Sequence, residues 1–296
     1  MRLGRIGFWY RLAVLIVKPP LLLLTRRDWR GLERLPRDGG VLVAANHISY
    51  LDPLVLGDFL VYGARRLPRY LAKAEIFAGA GFVGRILRGT KQIPVHRGSA
   101  DASAALRPAV QALHDGECVT IYPEGTVSRD PGKWPMLAKT GVARLALLSG
   151  APVVPVAQWG AQQIVDTYRS PGLHPLPRHT MRLVAGPPVD LSPWQGKELS
   201  ADVLREATAA IMTAITRQLE VLRGETAPAT VHDPGRSAPA PTHAGTLDPG
   251  PLDPGALDPG ALDPGPLDPG PPHAGSLDPG PLDPGSLDAG PDRRTA

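Results

Sequence analysis

From Thr246 to Gly290 the chain of 296 residues runs in five-residue units of the type Leu-Asp-Pro-Gly-x, and this repeat limits what can fold. The stretch holds no valine, isoleucine or aromatic ring to bury, and every unit contains proline or glycine, so packing cannot offset the entropy of ordering it. Each Asp-Pro-Gly, such as Asp248-Pro249-Gly250, favours a local turn, while a period of five excludes the collagen helix, which needs glycine at every third position. The expectation is a disordered tail over 225–296, behind a folded part the size of one ordinary α/β domain.

Charge divides at the same place. The net charge is +4, but the tail from residue 246 holds nine Asp against Arg293 and Arg294, a balance of −7 that leaves +11 for the remainder. An excess of that sign suits an anionic membrane surface, a phosphate-bearing substrate or an acidic acyl carrier protein. Nucleic acid is not expected as a partner, because no groove-binding helix, basic–aromatic repeat or zinc pattern accompanies the charge. The single cysteine, Cys118, excludes an internal disulfide and a cysteine-based zinc site, and agrees with a reducing compartment.

Between Ile6 and Leu24 the chain is apolar, yet Arg11, Lys18 and Pro19-Pro20 break it into runs shorter than the ~20 residues a membrane span requires. Phe8, Trp9, Tyr10 and Leu12 beside Arg2, Arg5, Arg11 and Lys18 read as an interfacial segment over 1–30, with rings at headgroup depth and cations on anionic lipid. A helix packed on the domain is the alternative. No small-residue cleavage site follows, which argues against a signal peptide.

Over 31–224 short apolar runs alternate with segments of helical period. Val41–Ala45, Leu67–Ala72, Lys91–Val95, Glu117–Tyr122, Pro152–Trp159 and Met181–Val184 read as buried strands. Pro53–Tyr62, Ala102–His114, Thr140–Leu148 and Ser200–Arg223 read as helices. The alternation predicts an α/β fold: a mixed, mostly parallel sheet covered by helices, with ligands at the carboxyl ends of the strands.

Two segments at such strand ends carry candidate chemistry. His47 and Asp52, in His-Ile-Ser-Tyr-Leu-Asp, are a base and an orienting carboxylate of the kind that makes an alcohol nucleophilic. An imidazole accepts the alcohol's proton near neutral pH, and a carboxylate on its other nitrogen selects the tautomer. The spacing alone is not selective, since His96/Asp101, His243/Asp248 and His273/Asp278 repeat it. Two of these lie in the tail, and the His47 pair follows a buried strand and precedes a helix opening at Asp52-Pro53, where Asp52 is equally readable as an N-cap. Tyr122-Pro123-Glu124-Gly125-Thr126 is the second segment. Glu124 can accept a hydrogen bond from a substrate hydroxyl, and the amides around Gly125 and Thr126 can face a phosphate or a developing oxyanion.

Together these blocks resemble the glycerophospholipid (lysophospholipid) acyltransferase family, the 1-acylglycerol-3-phosphate acyltransferases, over roughly residues 40 to 190. The resemblance rests on Asn46-His47 through Asp52, on Lys73 in Ala-Lys-Ala-Glu-Ile-Phe, on Arg97 in Gln-Ile-Pro-Val-His-Arg-Gly, on Glu124-Gly125-Thr126, and on Ala-Pro-Val-Val-Pro-Val ending at Val156. It implies an O-acyltransferase of phospholipid biosynthesis at the cytoplasmic face of the cell membrane, peripheral or monotopic. The acyl group would pass from acyl-CoA or acyl carrier protein to lysophosphatidic acid, giving phosphatidic acid. His47 would be the general base and Asp52 its partner; Lys73 and Arg97 would hold phosphate; Glu124, Gly125 and Thr126 would position the glycerol. No cofactor or metal is implied. Acylation of glycerol-3-phosphate or another lysolipid is the alternative, lipid ester hydrolysis lacks a Gly-x-Ser-x-Gly elbow, and a non-catalytic membrane scaffold with a recruiting tail is the reading from a different class. The family often has arginine directly after Glu-Gly-Thr, where this chain has Val127. Arg129 would share Val127's side only along an extended loop.

Overall fold

The computed structural model of the chain describes residues 7–78, 81–95, 102–167 and 172–234. The repeat tail, Arg97 and the three rival His/Asp pairs lie outside the described residues.

Seven strands form one sheet. They are β1 (Thr25–Arg30), β2 (Val41–Ala45), β3 (Pro68–Lys73), β4 (Ile93–Val95), β5 (Cys118–Ile121), β6 (Val153–Trp159) and β7 (His179–Ala185). Their spatial order is β1-β7-β6-β2-β5-β3-β4. All neighbouring pairs are parallel except β6 with β7. The expected mixed, mostly parallel sheet is therefore present, with β2 central between β6 and β5.

Strand β2 shows why its apolar run is unbroken. Val41, Val43 and Ala45 point into one apolar layer, where they meet Val55, Leu56, Phe59 and Leu60. Leu42 and Ala44 point into the opposite layer, against Leu106, Ala109, Val142, Leu145, Ile211 and Ile215. A strand buried on both faces tolerates no polar residue. The first layer is covered by α1 (Phe8–Leu24) and α2 (Asp52–Asp58), which continues as a widened helical turn over Phe59–Gly63. The second is covered by α5 (Ala102–His114), α6 (Gly141–Ser149) and α7 (Ala201–Arg223). Helix α7 opens where Ser200 caps the amide of Val203 at 3.3 Å and stops at Gly224, whose φ of +69° is the left-handed stop that glycine adopts without strain.

Three features differ from the sequence reading. Residues Thr25–Arg30, expected in the N-terminal segment, form the edge strand β1 beside β7. Four of its six residues are charged, which hides a strand from any apolar pattern but suits an edge that must not recruit another chain. Two short helices, α3 (Ala74–Ala78) and α4 (Phe82–Gly89), fill the connection between β3 and β4. Helix α1 takes the packed alternative. It packs on the domain, with Leu21 buried, Trp9 against Gly89 and the Tyr10 hydroxyl donating to Pro68 at 3.0 Å. It also keeps Phe8, Leu15, Ile16, Leu22 and Leu23 exposed.

Candidate active site

The site lies where β2 ends. Asn46 follows the strand and is clasped to β6: its side-chain amide donates to the Gln158 carbonyl (3.1 Å) and its oxygen accepts from the Gln158 amide (2.8 Å). Gln158 returns the contact, its side-chain amide donating to the Asn46 carbonyl at 2.7 Å. Both residues are buried, so the three bonds form where water does not compete, and they fix the point from which the chain turns.

His47 comes next, held at both ends of its peptide. Its amide donates to Glu124 Oε1 at 2.9 Å, and its carbonyl accepts from the Ser128 amide at 2.7 Å. The imidazole Nδ1 lies 2.9 Å from Asp52 Oδ2. The ring stacks on Tyr122, with centroids 4.3 Å apart and planes 19° apart.

Asp52 is 0% exposed and begins α2, but it does not cap that helix. Its Oδ2 turns back on the loop and accepts from Ile48 (2.5 Å) and Ser49 (2.8 Å) amides as well as from His47. The helix instead takes Leu51 as its cap residue. Because an ionised carboxylate only accepts, Nδ1 of a neutral His47 carries the proton and Nε2 keeps a free lone pair. An imidazole in that tautomer can accept a proton at Nε2. The bend over residues 48–51 supplies the change of direction a His and an Asp five positions apart need, since a continuous helix would turn them ~140° from a common face.

Glu124 has a role in the backbone of the site as well. It is 3% exposed, and its two oxygens take the amides of His47 and, at 3.1 Å, Met136. Burial pushes its pKa up to about 8, against the opposing pull of those two amides. Each oxygen accepts one backbone amide, so the carboxyl fastens the His47 turn to the loop before α6. Gly125 turns tightly beside it, its amide donating to Tyr122 at 2.9 Å and its φ at +72°. Thr126 is half-buried on the same loop. Val127 is 1% exposed and packs inward, while Arg129 is exposed, so the two do not share an environment.

Lys73 ends β3 and is exposed. It stands at the same carboxyl edge of the sheet as His47, with β5 between their strands. Arg97 lies outside the described residues, so its expected phosphate contact has no geometry. Sequence reasoning passed over Gln158 and the stacking role of Tyr122. Gln158 had a signal, being the only polar side chain within the apolar run Val153–Trp159.

The sequence model of the family described as Acyltransferase matches residues 26–159. The chain is 28% identical over 194 residues to a 1-acyl-sn-glycerol-3-phosphate acyltransferase of Bacillus subtilis, covering 65% of this chain and 86% of that protein. It is 31% identical over 133 residues to the protein of the same name from Borreliella burgdorferi, covering 43% and 48%. An N-acylphosphatidylethanolamine synthase of Arabidopsis thaliana is 30% identical over 159 residues, covering 51% and 56%. Among solved structures, the 1-acyl-sn-glycerophosphate acyltransferase of Thermotoga maritima shares the fold, with a TM-score of 0.52 and 23% identity over 77% of this chain and 88% of that one. The matched region opens at the edge strand, contains the His47–Asp52 pair and the Glu124 loop, and closes on the strand that clasps Asn46, so residues 26–159 are similar to an acyltransferase domain.

Proposed function

We propose that this chain is an acyltransferase moving a fatty acyl group from an acyl-CoA or acyl-carrier-protein thioester to the free hydroxyl of lysophosphatidic acid, giving phosphatidic acid. The observation that carries the reading is the His47–Asp52 contact of 2.9 Å beside the Glu-Gly-Thr loop. His47 Nε2 takes the hydroxyl proton as the oxygen attacks the thioester carbonyl carbon, and Asp52 stabilises the imidazolium that forms. Collapse of the tetrahedral species breaks the C–S bond, and the thiolate leaves with the proton from His47. The relatives named for 1-acyl-sn-glycerol-3-phosphate support this acceptor. The relative named N-acylphosphatidylethanolamine synthase, with Val127 in place of arginine, favours a different lysolipid or amine acceptor as the second reading.

An apolar groove of about 200 Å³ between α1, α2 and α4 fits the acyl chain. It is lined by Val14, Val17, Leu21, Leu54, Ile86 and Leu87, and its wall includes Tyr70. Tyr70 lies parallel to Tyr122 at 6.3 Å, so two rings lead from the groove to His47. No helix among the described residues is long and apolar enough to cross a membrane. Exposed Phe8, Leu15, Ile16, Leu22 and Leu23 on α1, with the net positive charge ahead of the tail, support peripheral association with an anionic surface on the cytoplasmic side.

The test is thioester consumption with lysophosphatidic acid, comparing wild type and folded His47→Ala. Loss of an essential base costs at least ~10²-fold. Full turnover by the variant would end the assignment of His47, and thiol release without acylated lipid would point to hydrolysis.

A further inference from the structure

A cation from the segment before α6 is seated on the Glu-Gly-Thr loop. The Lys139 amide donates to the Pro123 carbonyl at 3.0 Å, immediately before Glu124, so residue 139 is tied by backbone to the loop that holds His47. Its side chain crosses Gly125: Cδ and Cε lie 3.4 Å, and Nζ 3.8 Å, from where a Cβ would stand at that glycine. A left-handed φ of +72° opens this face of the turn. Lys139 is exposed, and no carboxylate among the described residues pairs with its ammonium. Thr140, the cap residue of α6, follows it. Helix α6 precedes β6 and packs on the sheet, so it starts at the carboxyl end of the strands, where His47 also lies, and its first-turn amides add positive potential there.

We propose that Lys139 is a binding residue for the phosphate monoester of the acceptor, taking the place of the arginine that Val127 replaces. The proposal rests on the reading of the acceptor as a phosphorylated lysolipid. Arg129 does not fill this role by position, since it lies beyond the buried Val127 and Ser128, whereas Lys139 is seated on Gly125 itself.

The experiment compares Lys139→Ala and Lys139→Arg with wild type, using lysophosphatidic acid and the phosphate-free monoacylglycerol, in turnover and in equilibrium binding without donor. Lys139→Ala is expected to weaken binding and raise KM for lysophosphatidic acid about tenfold to a hundredfold, with kcat little changed, as for loss of a charged hydrogen bond. Binding of monoacylglycerol should not move, and Lys139→Arg should keep most of the affinity. Unchanged affinity for lysophosphatidic acid, or equal loss for both acceptors, would overturn the proposal. Binding of lysophosphatidic acid that depends on Lys139 without acyl transfer would remove the proposed reaction and leave this site standing. Acyl transfer indifferent to Lys139 would do the reverse.

Discussion

Nδ1 of His47 lies 2.9 Å from Oδ2 of Asp52, and the same carboxylate oxygen accepts the amides of Ile48 and Ser49. One buried oxygen thus folds the loop and orients the base.

Asp52→Asn places an amide where three donors converge on one acceptor. The variant is expected to lose at least ~10²-fold in kcat, because the imidazolium loses its compensating charge. Stopped-time acyl transfer on variant shown by circular dichroism to be folded checks this. Near-wild-type kcat would mean that Asp52 serves the loop alone.

Glu124→Ala leaves the amides of His47 and Met136 buried without acceptors. At ~1–3 kcal/mol for each orphaned donor, the expected destabilisation is about 2–6 kcal/mol. Urea unfolding measures it, and a change below about 1 kcal/mol would show that the loop rearranges to satisfy both groups.

Stability should also depend on pH through Glu124. Its pKa is raised to about 8 in the folded state by burial, above the 4.5 of the ordinary side chain, so the folded protein holds a proton that the unfolded chain releases. The contribution is fully present below about pH 4.5 and falls as pH rises through about 8. Thermal unfolding of wild type should therefore lose stability across this window relative to Glu124→Gln, which does not titrate. Parallel pH profiles for the two proteins would contradict the shift.

The exposed apolar residues of α1 make a prediction about membranes. Leu15→Asp with Leu23→Asp should leave the fold intact, because both side chains face outward, and should weaken binding to anionic vesicles by about tenfold or more. Vesicle sedimentation at two salt concentrations separates this apolar contribution from the electrostatic one. Retained binding would place the docking surface elsewhere.

Much of the site was legible because it depends on local chemistry. His47 after an apolar run, Asp52-Pro53 opening a helix, and Gly125 at a turn are each readable from neighbours in the chain. The extents of α5 and α7 followed from the 3.6-residue period. Strand β1 was not legible, since an edge strand needs no apolar face and Arg26, Arg27, Asp28 and Arg30 conceal it.

Sequence alone therefore determined the alternation of buried strands and amphipathic helices and singled out His47 with Asp52 as a pair, because periodicity and turn chemistry act over a few residues. Tertiary structure alone decided which way Glu124 faces, that Asn46 is locked by Gln158 from 112 positions away, that Tyr122 lies under the imidazole, and that Lys139 and not Arg129 sits on Gly125. Those contacts join segments far apart in the chain, and their geometry follows from strand order and packing, which no local pattern encodes.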